Sequence, residues 1–182
     1  MTIRGVPCIY YGTEQYSANF TSNSFGQTGS DPYNREMMPS FNTETNACNI
    51  IRSLANLRQT NKALQNGTYS EKWVDDTLLA YERKSGTDAV VVVANKGAYR
   101  VQSVSNLSLP DGVYTDVLGG DSVTVTGGTA SFELSENEVV ILATTSALNE
   151  MTVYFYNNSI TNWSAVNCYY WNLNGHTSTP VA

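Results

Sequence analysis

The sequence predicts a mainly β chain built in three successive parts, and three observations carry that prediction. A short continuous apolar run at residues 5–11 is followed, after a long polar stretch, by a single amphipathic helical segment. From Tyr69 the apolar residues alternate or cluster in short runs, with turn residues at regular intervals as far as Thr144. After a short Ser/Ala/Asn linker, the remainder is dense in aromatic residues and almost without charge.

The opening phrase "RGVPCIYYGTEQY" (residues 4–16) holds a nearly unbroken apolar run closed by Gly12, with a carboxylate at Glu14. Continuous rather than alternating hydrophobicity suits a strand buried on both faces, as in a parallel sheet. Residues 13–44 are polar and rich in Ser, Asn, Gly and Thr, which predicts a long loop. In residues 45–60, Ala47, Ile50, Ile51, Leu54 and Leu57 recur at helical spacing, with Thr43 or Thr45 placed to cap the start. One strand and one helix do not fold alone, so this segment is expected to be the end of something larger.

The strands follow. "KWVDDTLLAYERK" predicts two strands around a turn at Asp75–Asp76, and "SGTD" the next turn. "AVVVVAN" reads as a core strand, "YRVQSVSNLSL" alternates, and "VYTDVLGG", "SVTVTGG" and "ASFELSENEVVILAT" complete an antiparallel β-sandwich. In the tail, "MTVYFYNNSITNWSAVNCYYWNLNG" sets Val153 and Phe155 against Tyr154 and Tyr156, one face for a core and one for an aromatic platform.

Composition narrows the function. Charged residues are 14% of the 182, against roughly 25% in an ordinary soluble domain. The surface is therefore polar but uncharged, which suits an extracellular protein handling neutral, hydroxyl-rich ligands. A formal charge of −6 without a basic cluster argues against nucleic acid. No apolar segment is long enough to span a membrane, and no signal peptide opens the chain. Cys8, Cys48 and Cys168 are far apart and form no CxxC pair, and His176 is the only histidine, so no zinc site is expected. The cysteines are read as small buried hydrophobes, with a disulfide or a reactive thiol as the alternative.

"RGVPCIYYGTEQY", then "GSDPYNREMMPSF", resembles the α-amylase family of glycoside hydrolases, family thirteen. The resemblance continues through "NIIRSLANLRQTNKAL", "YERK", "VVVVAN", "DGVYTDVLGG" and "LSENEVVIL", in family order, over residues 3–145. It implies that residues 1–64 are the last strand, loop and helix of a (β/α)8 barrel and that residues 65–146 are the all-β domain C. Residues 150–182 resemble the start of a β-sandwich starch-binding module. Because the chain passes directly into that aromatic module, the resemblance favours a fragment of a secreted α-amylase hydrolysing α-1,4 bonds of starch. A fragment of a cyclodextrin glucanotransferase is the second reading. A non-catalytic starch-binding protein is a third, of a different class, and a truncated chain with no activity of its own a fourth.

Retaining glycoside hydrolysis needs two carboxyl groups about 5–5.5 Å apart. The family places these on earlier barrel strands, so no catalytic residue is assigned here and the isolated fragment is expected to be inactive. Two positions carry over with function attached: Asp31 and Arg35 match an aspartate and an arginine that contact a glucose unit in the related transglycosylases. A carboxylate and a guanidinium suit sugar hydroxyls, and equally suit bracing one another across the loop. Tyr10, Tyr11 and Glu14 are expected to support the strand end rather than touch sugar. In the tail, Tyr154, Tyr156 and Trp163 are the candidate starch platform, since flat aromatic faces stack on glucose rings; a core role is the alternative. The expected partners are starch and malto-oligosaccharides. No cofactor or metal is expected in this fragment, calcium falling to segments of the parent enzyme nearer its N-terminus.

Overall fold

The computed structural model describes residues 1–35, 37–38 and 40–144. The expectations for residues 150–182, including Tyr154, Tyr156 and Trp163, lie outside the described residues.

Among the described residues, eight strands form two antiparallel four-stranded sheets: β1 (Thr68–Val74), β2 (Leu78–Ser85), β3 (Asp88–Asn95), β4 (Arg100–Val104), β5 (Gly112–Thr115), β6 (Ser122–Thr126), β7 (Thr129–Leu134) and β8 (Val139–Ala143). The first sheet runs β1-β2-β3-β8 and the second β4-β7-β6-β5. Between them lies the main core, in which Leu78, Ala80, Val91, Val93 and Leu142 of the first sheet meet Val104, Val125, Phe132 and Leu134 of the second. The unbroken "AVVVVA" run has a specific cause. Its odd-numbered residues join that core, whereas Val90 and Val92 join Tyr81, Ile141, Ala63 and Leu64 on the opposite face. β3 is therefore buried on both sides, in an antiparallel sheet with helices laid over its back.

Those helices are α1 (Asn46–Thr60) and α2 (Lys62–Asn66). Thr45 caps α1 as anticipated, its hydroxyl accepting from Cys48 N at 3.0 Å. The apolar stripe is present but largely uncovered. No α1 residue is buried; only Leu54 and Leu57 pack partly against the Val90–Tyr81 cluster. Asn61 joins the two helices from a fully buried position, accepting from Ala63 N at 3.0 Å and donating to the Thr144 carbonyl at 3.2 Å. Gly67 then carries the chain into β1 at very close quarters: a Cβ there would stand 2.4 Å from the Ala63 carbonyl oxygen.

The sheet edges follow from local chemistry. In β1, Lys72 is an extra residue between Glu71, paired with Tyr81, and Trp73, paired with Ala80. Its amine reaches the Asn106 carbonyl at 2.5 Å and stands 3.8 Å from the buried carboxylate of Glu82. β5 stops at Thr115, short of the whole "VYTDVLGG" phrase, because Asp116 turns inward. Its carboxylate accepts from Leu118 N, Gly120 N and Ile141 N, which lays residues 116–120 along the outer edge of β8.

The strand expected at residues 5–11 does not form. Among the described residues nothing pairs with it, and without a ladder an apolar run has no means of satisfying its amides as a strand. Val6 is 94% exposed, and Ile9, Tyr10, Tyr11, Phe20, Phe25 and Phe41 are exposed too. Cys8 shares that exposure and Cys48 is half-buried, both as free thiols, so neither is the buried hydrophobe expected. Cys168 lies outside the described residues. No described helix is long and apolar enough to cross a membrane.

Candidate functional site

The polar loop of residues 13–44 carries the candidate residues, and a few side chains hold it. Gly12 adopts φ +84°, turning the chain into a single 3-10 turn, Thr13–Gln15. Any side chain at Gly12 would be strained by that φ and would press on Ser17 at 2.8 Å. Gln15 then ties the loop's beginning to its end: its amide nitrogen donates to the Asn42 carbonyl at 2.9 Å, and its oxygen accepts from Ser40 Oγ and Asn42 N. Thr45 Oγ1 donates to the Glu14 carbonyl at 2.5 Å, and Tyr16 Oη accepts from Ala47 N at 3.0 Å, fastening the same turn to the start of α1. Within the loop, Ser22 and Thr28 bridge a small hairpin whose tip is organised by the Asn23 carboxamide.

The hairpin leads into the turn 31–35. Tyr33 N donates to the Ser30 carbonyl at 2.8 Å and Arg35 N to the Pro32 carbonyl at 3.3 Å. This geometry brings Asp31 and Arg35 together: the Arg35 guanidinium donates to the Asp31 carboxylate, and both side chains are well exposed. They form one ion pair on an open turn, so an incoming hydroxyl meets an acceptor and a donor side by side. Neighbouring Tyr10 donates from its hydroxyl to the Asn34 carbonyl at 3.3 Å, and the Tyr10 and Tyr11 rings lie 4.7 Å apart, tilted at 43°. Tyr10, Tyr11, Ser17, Asn19, Gly29 and Asn34 line a cleft of about 210 Å³ beside the turn. Glu14 is half-buried, and its backbone carbonyl accepts from Thr45 Oγ1.

Residues 1–5 connect this loop to the sandwich through a clasp that no sequence signal announced. Arg83, mid-strand in β2 and 2% exposed, donates to the Thr2, Gly67 and Thr68 carbonyls at 3.0–3.2 Å. Arg58 of α1 reaches the Met1 and Gly5 carbonyls at 3.0 and 2.7 Å, and Thr2 Oγ1 meets Tyr81 Oη at 2.7 Å. Burial, aided by the nearby charges of Arg58 and Arg4, presses the Arg83 pKa down; a guanidinium nevertheless stays charged. Burial likewise pushes the Tyr81 phenol up.

Three carboxylates of the sandwich are bracing groups. Asp75 accepts from Trp73 Nε1, Thr77 N, Leu78 N and Arg100, with the indole hydrogen bond foremost in holding its carboxyl well below the usual range. Glu82 accepts from Ser108 N and Glu138 from Ser135 N, each at 2.6 Å. Among the described residues, no three His, Cys, Asp or Glu side chains gather in a group that could hold a metal ion.

Comparison with known proteins adds an independent line. Residues 73–157 match the family described as the α-amylase C-terminal all-β domain. A cyclomaltodextrin glucanotransferase of Klebsiella oxytoca is 52% identical over 146 residues, 80% of this chain and 22% of that protein. An α-amylase of Niallia circulans is 46% identical over 131 residues, 69% of this chain and 23% of that protein. Among solved structures, a cyclomaltodextrin glucanotransferase with a three-domain ABC distribution superposes with a TM-score of 0.69 at 39% identity, covering 79% of this chain and 30% of the other. Cyclomaltodextrin glucanotransferases predominate among the relatives. The chain spans about a fifth of the length of these curated relatives.

Proposed function

The chain carries the C-terminal all-β domain of the α-amylase family and is homologous to the cyclodextrin glucanotransferases and α-amylases of glycoside hydrolase family thirteen; from that premise, we propose that it serves as the closing part of a cyclodextrin glucanotransferase-type enzyme acting on the α-1,4 bonds of starch. The observation that carries this reading is the 52% identity to a cyclomaltodextrin glucanotransferase across four-fifths of the chain. It reverses the order of the two expectations drawn from the sequence, where the aromatic tail placed an ordinary α-amylase first. A tail is a separable module and reports little on barrel chemistry, whereas the loop and sandwich are continuous with it.

On this reading residues 1–64 are the last strand, loop and helix of the barrel, and the uncovered apolar side chains support it. Val6, Ile9 and the exposed side of α1 have the character of a strand and helix that bury against neighbouring ones. The catalytic carboxylates and the calcium ligands are assigned to other segments of the enzyme. This chain contributes substrate contacts. Asp31 accepts from glucose hydroxyls and Arg35 donates to them, the pair opening its mutual ion bridge to do so. Holding several glucose units of the donor chain favours transfer to a sugar acceptor over release to water, because binding spent on the donor positions it for the second step. Residues 150–182, with Tyr154, Tyr156 and Trp163, are assigned to starch binding, and the enzyme to the extracellular space. An α-amylase hydrolase is the second reading, favoured by the 46% identical relative of that activity.

A chimera tests this directly: residues 1–146 replace the matching segment of the Klebsiella oxytoca enzyme, and products from soluble starch are separated chromatographically. Cyclodextrins are expected. A folded chimera that yields only linear maltodextrins turns the assignment to the hydrolase. In that chimera Arg35→Ala is expected to raise KM for long malto-oligosaccharides about tenfold or more, the worth of a hydrogen bond to a charged group. An unchanged KM removes Arg35 from the binding site.

A further inference from the structure

The cleft beside the Asp31–Arg35 turn has no part in the assignment above. We propose that it is a binding subsite for one glucose unit of an α-glucan, extending the track that the pair begins; this rests on the carbohydrate reading of the loop. Its chemistry selects the ligand class. Tyr10 and Tyr11 provide adjacent ring surfaces, and Ser17, Asn19 and Asn34 are uncharged polar residues, the Asn19 carboxamide oxygen accepting from Thr21 N at 2.7 Å, while Gly29 contributes no side chain and leaves the cleft open. No charged side chain lines it, so neither an anion nor a cation is compensated there. Aromatic faces with uncharged donors and acceptors suit a neutral polyol ring, whose C–H face stacks and whose hydroxyls bond at the rim. The volume, about 210 Å³, falls below the roughly 300–1,000 Å³ of sites that enclose drug-sized ligands. It accommodates one ring of a longer chain rather than a whole oligosaccharide.

Position supports continuity. Asn34 belongs to the turn that carries Asp31 and Arg35, and the Tyr10 hydroxyl bonds to its carbonyl at 3.3 Å, so the turn forms one wall of the cleft. The Gln15 and Thr45 hydrogen bonds close the loop that carries Ser17, Asn19, Gly29 and Asn34. This assigns Tyr10 and Tyr11 to sugar contact, beyond the supporting role that their place at the end of an apolar run suggests.

The test uses the full 182-residue chain, uniformly 15N-labelled and titrated with maltotriose. The expected result is saturable shifts of the Tyr11, Ser17, Asn19, Gly29 and Asn34 backbone amides, with Asn34→Leu, which fills the cleft, raising the Kd read at the remaining amides at least tenfold. Asn19→Ala is the second variant and is expected to act in the same direction. Shifts confined to other residues, or a Kd within twofold of wild type in both variants, overturn the subsite. The chimera gives an independent reading: Asn34→Leu raises its KM for maltotriose at least tenfold. An active chimera indifferent to Asn34→Leu sinks the cleft and leaves the proposed function standing. Shifts at the cleft together with a chimera that makes no cyclodextrin sink the enzyme assignment and leave the cleft.

Discussion

Residues 68–144 and residues 1–60 treat their apolar side chains in opposite ways. In the first region Phe132, Leu134, Val91 and Val93 are closed off between two sheets, and Val90 and Val92 are closed off behind them. In the second, Val6, Phe20, Phe25, Met37 and Phe41 are almost fully exposed, and a fifteen-residue helix buries none of its residues. Both regions are comparably apolar in sequence. The difference teaches that an apolar run specifies a strand only where a partner strand supplies its ladder, and that a polar loop can still be well ordered by its own hydrogen bonds.

The sharpest way to break this comparison is amide hydrogen exchange. Exchange at Val90–Val93 is expected to need global opening, and to be slower than at Val6–Ile9 by roughly 10³ or more, the factor set by a stability of about 5 kcal/mol. Similar rates in the two segments would mean that the sandwich is not the stable body. Phe132→Ala comes next, with an expected loss of about 3–5 kcal/mol in denaturant melts; a loss below about 1 kcal/mol would contradict a core shared by both sheets. Arg83→Met leaves the Thr2, Gly67 and Thr68 carbonyls without their donor and is expected to cost about 2–3 kcal/mol. Met at this position matching wild type in a urea melt would show the clasp to be neutral. Val6→Asp should change the stability of the chain by less than about 0.5 kcal/mol, since the side chain is exposed, yet should prevent folding of the barrel chimera. A chimera that folds with Val6→Asp would argue that the segment is not a barrel strand.

The smallest effect concerns Asp75. Its carboxyl titrates below its ordinary value of 3.8 in the folded protein, so the unfolded chain takes up the proton first as pH falls. The contribution is complete above that value and is lost progressively below it. Asp75→Asn should flatten the dependence of the urea midpoint on pH in the acid range below about 4, leaving neutral-pH behaviour governed by the remaining hydrogen bonds. Identical acid profiles for the two proteins would show that the Trp73 and Arg100 contacts do not favour the ionised form.

Much of the sandwich was legible because its signals are local. Alternation in "SVTVT" and "ASFEL" and turn residues between them mark strands whether or not the partner is known. The end of β5 was not legible, because it depends on Asp116 finding the Ile141 amide in β8, far along the chain. Nor were Glu82 and Arg83, adjacent charges in the middle of a strand. Alternation sends them to opposite faces, where one is buried against Ser108 N and the other against carbonyls of residues 2, 67 and 68. In the candidate site, Asp31 and Arg35 were singled out by the family resemblance of their phrase, and the chemistry of a carboxylate and a guanidinium allowed the pairing seen. The cleft was not: Ser17 and Asn19 meet Asn34 only because Gln15 and Thr45 fold a thirty-odd-residue loop back onto its own start.

The clasp of Arg58, Tyr81 and Arg83 on residues 1–5 has a bearing on how chains of this family are recombined. The junction near residue 66 resembles a module boundary, with helices on one side and a sandwich on the other. It is a poor crossover point for recombination. A sandwich imported without Tyr81 and Arg83 would release Thr2 from β2 and leave Arg58 of α1 alone on the Met1 and Gly5 carbonyls, loosening the approach to the loop of residues 13–44. The two parts are heritable as one unit, so a graft that respects function must take the opening segment and the second strand of the sandwich from the same parent.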